Sequence, residues 1–161
     1  MRILVKAISF FVLSFFVASN LNAQKPTDKK PGTTAVKFKP PKLYTFLGTY
    51  KDSVTVPVTI GESIVGAALK IYDDKKTAYS ISSYQFMYKK KTVTEDENTG
   101  KVTPANSIAS DRFKTTPLPQ LWINKLREDL KAGDELYFFD VIAKDAKGMV
   151  MYASNLKIII Q

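Results

Sequence analysis

The stretch Pro117–Ile142, PLPQLWINKLREDLKAGDELYFFDVI, contains the change of period that decides the fold. Leu118, Leu121, Trp122, Leu126 and Leu130 recur at three- and four-residue spacing, which predicts a short helix with one apolar stripe. Lys125, Arg127, Glu128 and Lys131 fall mostly off that stripe, on the solvent side. Gly133 is expected to stop the helix, and Gly133-Asp134 to turn the chain into a strand over Leu136–Ile142. Six of those seven residues are apolar or aromatic, the composition of a central strand covered on both faces. Asp140 is the exception. A buried carboxylate is costly unless hydrogen-bonded, so Asp140 is expected to accept bonds from backbone N–H groups of a neighbouring loop. Its replacement by alanine is then expected to cost about 1–3 kcal/mol.

Upstream of this stretch the pattern is that of strands. Leu43–Tyr50 and Ser53–Thr59 read as two strands, the second alternating Val54, Val56 and Val58 with polar residues. Pro57 cannot donate to a ladder and marks that strand as an edge. A helical turn is expected over Ile60–Val65, with Gly66 just past it. Ala68–Tyr72 is a strand closed by the polar turn Asp73-Asp74-Lys75-Lys76. Ala78–Lys90 is the longest strand candidate, with Tyr84, Phe86 and Tyr88 on one face and the tyrosine hydroxyls at the rim of the core. Glu95–Gly100 reads as a charged hairpin tip, since the alternating oxygen ligands and distal glutamate of a calcium loop are absent. Val102–Lys114 is ambiguous. Downstream, Ala143–Gly148 is a turn, and Met149–Ser154 and Leu156–Ile160 return the chain as strands, the last a hairpin partner of the central one. These elements predict a mainly β domain, a β-sandwich with one short helix before the central strand.

The 161 residues suffice for one domain. Residues 1–23 have the form of a signal peptide: Arg2 and Lys6, the apolar run Ala7–Ala18, and the small residue Ala23 at the cut. That run is shorter than the ~20 apolar residues of a membrane span, so the exported chain is expected not to cross a membrane. Residues 24–41 carry Pro26, Pro31, Pro40 and Pro41 among lysines and read as a flexible leader, which leaves 42–161 as the folded domain. The chain carries a net charge of +9. It contains neither cysteine nor histidine, which excludes disulfides, thiolate nucleophiles, Cys/His zinc sites and His-based acid–base chemistry.

The run Ser83-Tyr84 in a strand, a short helix, Gly133-Asp134-Glu135-Leu136-Tyr137-Phe138-Phe139-Asp140-Val141, a Lys-Asp-Ala-Lys-Gly turn and a final apolar strand resembles the last domain of GldM, also called PorM. That family belongs to the gliding-motility and type IX secretion machinery of Bacteroidetes. The similarity covers roughly Leu69–Ile160. It implies an immunoglobulin-like periplasmic module for protein–protein contact, without catalysis. Gly133, Asp134, Tyr137, Phe138 and Asp140 are its structural motif. The departures are a cleavable signal in place of a membrane helix and room for one domain only, so a motor role does not carry over.

The first functional expectation is therefore a periplasmic interaction or assembly module that takes protein partners in the cell envelope, with Lys89, Lys90 and Lys91 as a possible binding surface. The alternative is an envelope-polymer or carbohydrate-binding protein using Tyr84, Tyr88, Trp122, Tyr137 and Tyr152. Catalysis would need paired carboxylates or a Ser/Lys dyad. Asp96, Asp111, Asp129, Asp134 and Asp140 stand in no recognised motif, so no catalytic residue, metal ligand or cofactor is expected. An exported chain also rarely meets nucleic acid.

Overall fold

The two longest apolar-alternating segments pair with each other, and the rest of the sheet grows from their edges. In the computed structural model, which describes residues 39–161, β5 (Ala78–Glu95) and β7 (Glu135–Lys144) run antiparallel, with Phe86 opposite Phe138 and Tyr88 opposite Leu136. The expected signal peptide and most of the leader lie outside the described residues.

The second edge of β7 is shared. β9 (Leu156–Ile160) takes its beginning and β8 (Val150–Tyr152) its end. The edge of β5 is shared too: β4 (Leu69–Asp73) pairs with its first residues and β6 (Val102–Phe113) with the remainder. β1 (Leu43–Leu47) lies antiparallel to β4 and forms a hairpin with β2 (Tyr50–Lys51). β3 (Ser53–Val56) pairs in parallel with β9 at the end of the sheet, on the edge that Pro57 predicts.

One end of the sheet curls back on itself. Ala153 bridges Leu43, Ser154 N donates to Leu43 O at 2.9 Å, and Thr45 Oγ1 donates to Ser154 O at 2.6 Å. The molecule is therefore mainly β with a nearly closed sheet.

Among the described residues two helices accompany the sheet, where the sequence predicts one before the central strand. α1 (Val58–Ile64) begins two residues earlier than its expected turn. Pro57 precedes it as the N-cap residue, where proline's missing N–H costs little because the first donors of a helix lack partners anyway. Gly61 lets α1 press its backbone onto the core. A Cβ there would stand 2.7 Å from Leu130 Cδ2 and 2.8 Å from Ile160 Cδ1. Both neighbours are buried, so Gly61→Ala is expected to destabilise the protein by about 1–3 kcal/mol despite alanine's better helix propensity. Urea denaturation of the variant measures this.

α2 (Gln120–Asp129) departs from expectation in two ways. Leu121 is 79% exposed while Ile123 is buried with Leu118, Leu126 and Leu130. The helix begins only at Gln120, so Leu118, in the extended Pro117-Leu118-Pro119 segment, does not set its phase. The buried face then runs Ile123, Leu126, Leu130. Nor does Gly133 end the helix. Leu130 does, by turning extended (φ −61°, ψ 126°). Gly133 instead occupies the left-handed position (φ 95°) of the Lys131–Asp134 turn, closed by Asp134 N donating to Lys131 O at 3.1 Å.

Asp140 is corrected as well: it is exposed, not buried. Ser83 opposes Ile142 and Gln85 opposes Phe139, so β7 takes three steps where β5 takes two. The extra residue forms a bulge in which Asp140 holds φ 47° and turns outward. Its carboxylate accepts from Gln85 Nε2 at 2.8 Å and lies 3.8 Å from the Arg112 guanidinium. The cost of alanine here comes from the left-handed backbone. Asp140→Ala is expected to lose about 1–2 kcal/mol and Asp140→Gly to stay within ~0.5 kcal/mol of the parent. Comparing the denaturation midpoints of the two variants separates backbone strain from a lost hydrogen bond.

The core is an aromatic–aliphatic layer. Tyr84, Phe86 and Tyr88 of β5, Leu136 and Phe138 of β7, and Leu156, Ile158 and Ile160 of β9 are all buried, as the period-two reading of these strands requires. β7 is covered fully on this face only. Tyr137, Phe139 and Ile142 on its other face are half-buried.

Candidate functional site: a projecting hairpin

Among the described residues the buried carboxylate is Asp134. It is fully buried, in the turn that leads into β7. Its Oδ1 accepts from Lys91 N at 2.8 Å, and its Oδ2 from the Tyr88 hydroxyl at 2.6 Å and Lys131 N at 3.0 Å. The turn after α2 is thereby fastened to β5 at the point where β5 leaves the body.

Beyond that fastening β5 and β6 continue alone. The last β5–β7 pair is Lys89 with Glu135, yet β5–β6 pairing runs on from Lys90↔Ser107 to Glu95↔Val102. Within the ambiguous segment Val102–Lys114, Val102–Phe113 is thus a twelve-residue strand, and the expected hairpin tip caps a projecting two-stranded arm. Asp96 organises the tip. Its Oδ1 accepts from Asn98 N, Thr99 N and Thr99 Oγ1, with the Thr99 backbone bond the largest cause of a carboxyl held below its ordinary range. Gly100 closes the turn at φ 67°.

The two faces of the arm differ. Cross-strand pairing places Val93 against Pro104, and Glu95 against Val102, on one face; Thr92 with Ala105 and Thr94 with Thr103 form the other. Val93 is 65% exposed, Val102 55%, and Ile108 on the same face nearer the body 60%. Isolated two-stranded hairpins are marginal in water, so an arm that shows its apolar side chains to solvent gains by having them covered. Among the described residues β6 pairs only with β5, so its other edge presents free backbone donors and acceptors.

The three candidate lysines sit at the root of the arm and are divided by it. Lys89 Nζ lies 3.0 Å from Glu135, which also meets Lys157 Nζ at 2.8 Å. These bonds, Lys157 first and then Lys89, hold the Glu135 carboxyl below its ordinary range. Lys90, on the opposite face, pairs with Asp129 at 3.2 Å. Lys91 is exposed and contributes its backbone N–H to Asp134. On the outer face beside Lys89, Tyr137 and Phe139 stack at 5.0 Å with their planes 11° apart, and Asn155 donates to the Tyr137 hydroxyl at 2.7 Å.

The remaining candidates disperse. Phe138 is a core ring against Phe86 and Tyr84. Trp122 packs edge-on to Phe86 and Phe113. Asp111 bonds Arg112 N, and Asp129 engages Lys90 and Lys125. Among the described residues no group of three or more His, Cys, Asp or Glu side chains is placed to hold a metal ion, and no helix is long and apolar enough to cross a membrane. No family model matches the chain, and no curated protein matches its sequence.

Proposed function

We propose that this chain is an exported, non-catalytic interaction module that docks protein partners in the cell envelope through the β5–β6 arm. The observation that carries the reading is the set of exposed apolar side chains on one face of the arm, Val93, Val102 and Pro104, beside an edge strand with free backbone groups. A partner strand added to β6 would satisfy those groups while apolar side chains cover the exposed valines. The likeness to the last domain of GldM supports the same use of a periplasmic module, and an immunoglobulin-like arrangement of the strands is part of the proposal. The signal-like N-terminus supports a periplasmic location.

The test is a Val93→Lys, Val102→Lys double variant. Both positions are solvent-exposed, so stability is expected to change by no more than ~0.5 kcal/mol. Recovery of the envelope partner by the tagged protein is expected to drop about tenfold or more, the loss of a central apolar contact. Undiminished recovery by the folded variant would remove the arm from the proposal.

A further inference from the structure

A second surface lies on β1, β2 and β4, which extend the sheet from the first residues of β5, away from the stretch that pairs with β6. The outward side chains of β1 are Tyr44 and Phe46, both half-buried, and their cross-strand neighbours on β4 are Tyr72 and Lys70. Phe46 and Tyr72 meet edge to face at 5.7 Å. Over Tyr44 stand two ammonium groups, Lys42 Nζ and Lys51 Nζ, each 4.9 Å from the ring centroid. Among the described residues neither lysine forms an ion pair, and the same holds for Lys70 and Lys76. Beside the rings a hollow of about 410 Å³ is lined by Phe46, Tyr72, Asp73 and Lys76. That volume falls within the ~300–1,000 Å³ of small-ligand sites.

Two ammonium groups at one aromatic ring concentrate positive charge there, and anions paired with them offset their mutual repulsion. Half-buried rings beside them offer flat apolar surface of the kind the C–H face of a sugar ring covers. The surface also carries the acids Asp52, Asp73 and Asp74 among its lysines. The backbone of DNA, like a polyuronate, carries a charge on every unit, but it has no hydroxyl along its length to donate to those carboxylates. Sugar hydroxyls can donate to them. From this combination we infer that the β1–β4 face binds an acidic polysaccharide, with uronic-acid carboxylates paired to Lys42 and Lys51 and neighbouring sugar rings against Tyr44, Phe46 and Tyr72. This site is independent of the arm and goes beyond the docking role proposed for it.

Calorimetric titration of the full chain with oligogalacturonate tests the assignment, with a neutral dextran oligomer and oligo-dT as comparison ligands. Saturable, salt-sensitive binding of oligogalacturonate is expected, tighter than that of either comparison ligand. Lys51→Gln, at an exposed position, is expected to weaken it about fivefold, and Tyr44→Ala about tenfold or more. The Val93→Lys, Val102→Lys arm variant is expected to bind the oligosaccharide unchanged. No saturable binding of oligogalacturonate, equal affinity in Lys51→Gln and Tyr44→Ala, or tighter binding of oligo-dT would each overturn the inference.

Discussion

Asp134→Ala is expected to lower the unfolding midpoint by about 10 °C or more. The substitution removes the acceptor for three donors at once: the Tyr88 hydroxyl, Lys91 N and Lys131 N. Each buried group left unpaired costs about 1–3 kcal/mol, and because the three share one carboxylate the sum is expected near 3–5 kcal/mol. For a domain of this size each kcal/mol shifts the midpoint by roughly 3–6 °C. Asp134→Asn keeps the shape but turns an NH2 toward donors, so it is expected to cost about half as much. Tyr88→Phe removes one donor and should lose ~1–1.5 kcal/mol. In a double-mutant cycle, Asp134→Ala and Tyr88→Phe are expected to cost less together than the sum of the two separately.

The buried tyrosines are expected to weaken the fold at alkaline pH. Burial first, and then the hydrogen bond to Asp134, push the Tyr88 phenol well above its ordinary value near 10. Burial pushes Tyr84 up to about 12. Below pH 10 both phenols are protonated whether the chain is folded or not, and the stability is complete. Above pH 10 the unfolded chain releases protons that the folded chain retains, so stability falls as pH rises toward 12. Tyr88→Phe is expected to flatten that fall, as denaturation midpoints at pH 8 through 11 would show.

Phe86→Ala is the other large effect. The ring is fully buried, 4.8 Å from Phe138 and 5.4 Å from Trp122, at the junction of β5, β7 and α2. A phenylalanine truncated in such a place costs about 3–5 kcal/mol, part from lost transfer energy and part from the cavity left behind. Phe86→Leu refills most of the space and is expected to cost about 1–2 kcal/mol. Trp122, the single tryptophan, reports on the change: its emission should move to the red in Phe86→Ala and hardly at all in Phe86→Leu. Urea titration followed at Trp122 gives both quantities.

What the sequence reveals follows from the range of the forces involved. Alternation along Tyr84, Phe86 and Tyr88 and along Leu156, Ile158 and Ile160 is a local signal, and these faces are buried as read. The polar turn at Asp73 is local too: its carboxylate caps Lys75 N and Thr77 N. The two aspartates of the central stretch show the opposite case. Asp140 stands in an apolar run and reads as buried, but a bulge rotates it to solvent. Asp134 stands next to glycine and reads as a turn residue, yet it is the buried acid, because two of its donors come from β5, more than forty residues away. β6 has too little apolar alternation to declare itself and is a strand because β5 offers it an edge. The sheet's closure through Leu43 and Ala153 joins positions too distant for any local pattern. Among the aromatics, Tyr84, Tyr88 and Trp122 stand out in sequence but serve the core. Tyr44, Phe46 and Tyr72 alternate with buried residues in ordinary strands, and only cross-strand pairing brings them together.

The central claim is that the β5–β6 arm is the surface by which this protein meets another. A photoreactive residue at position 93 and, separately, at position 146 in the turn after β7, each introduced into the full chain in its own cells, addresses it directly. The account predicts one discrete cross-linked protein from position 93 and none from position 146. No adduct from position 93, or the same adducts from both positions, would contradict it.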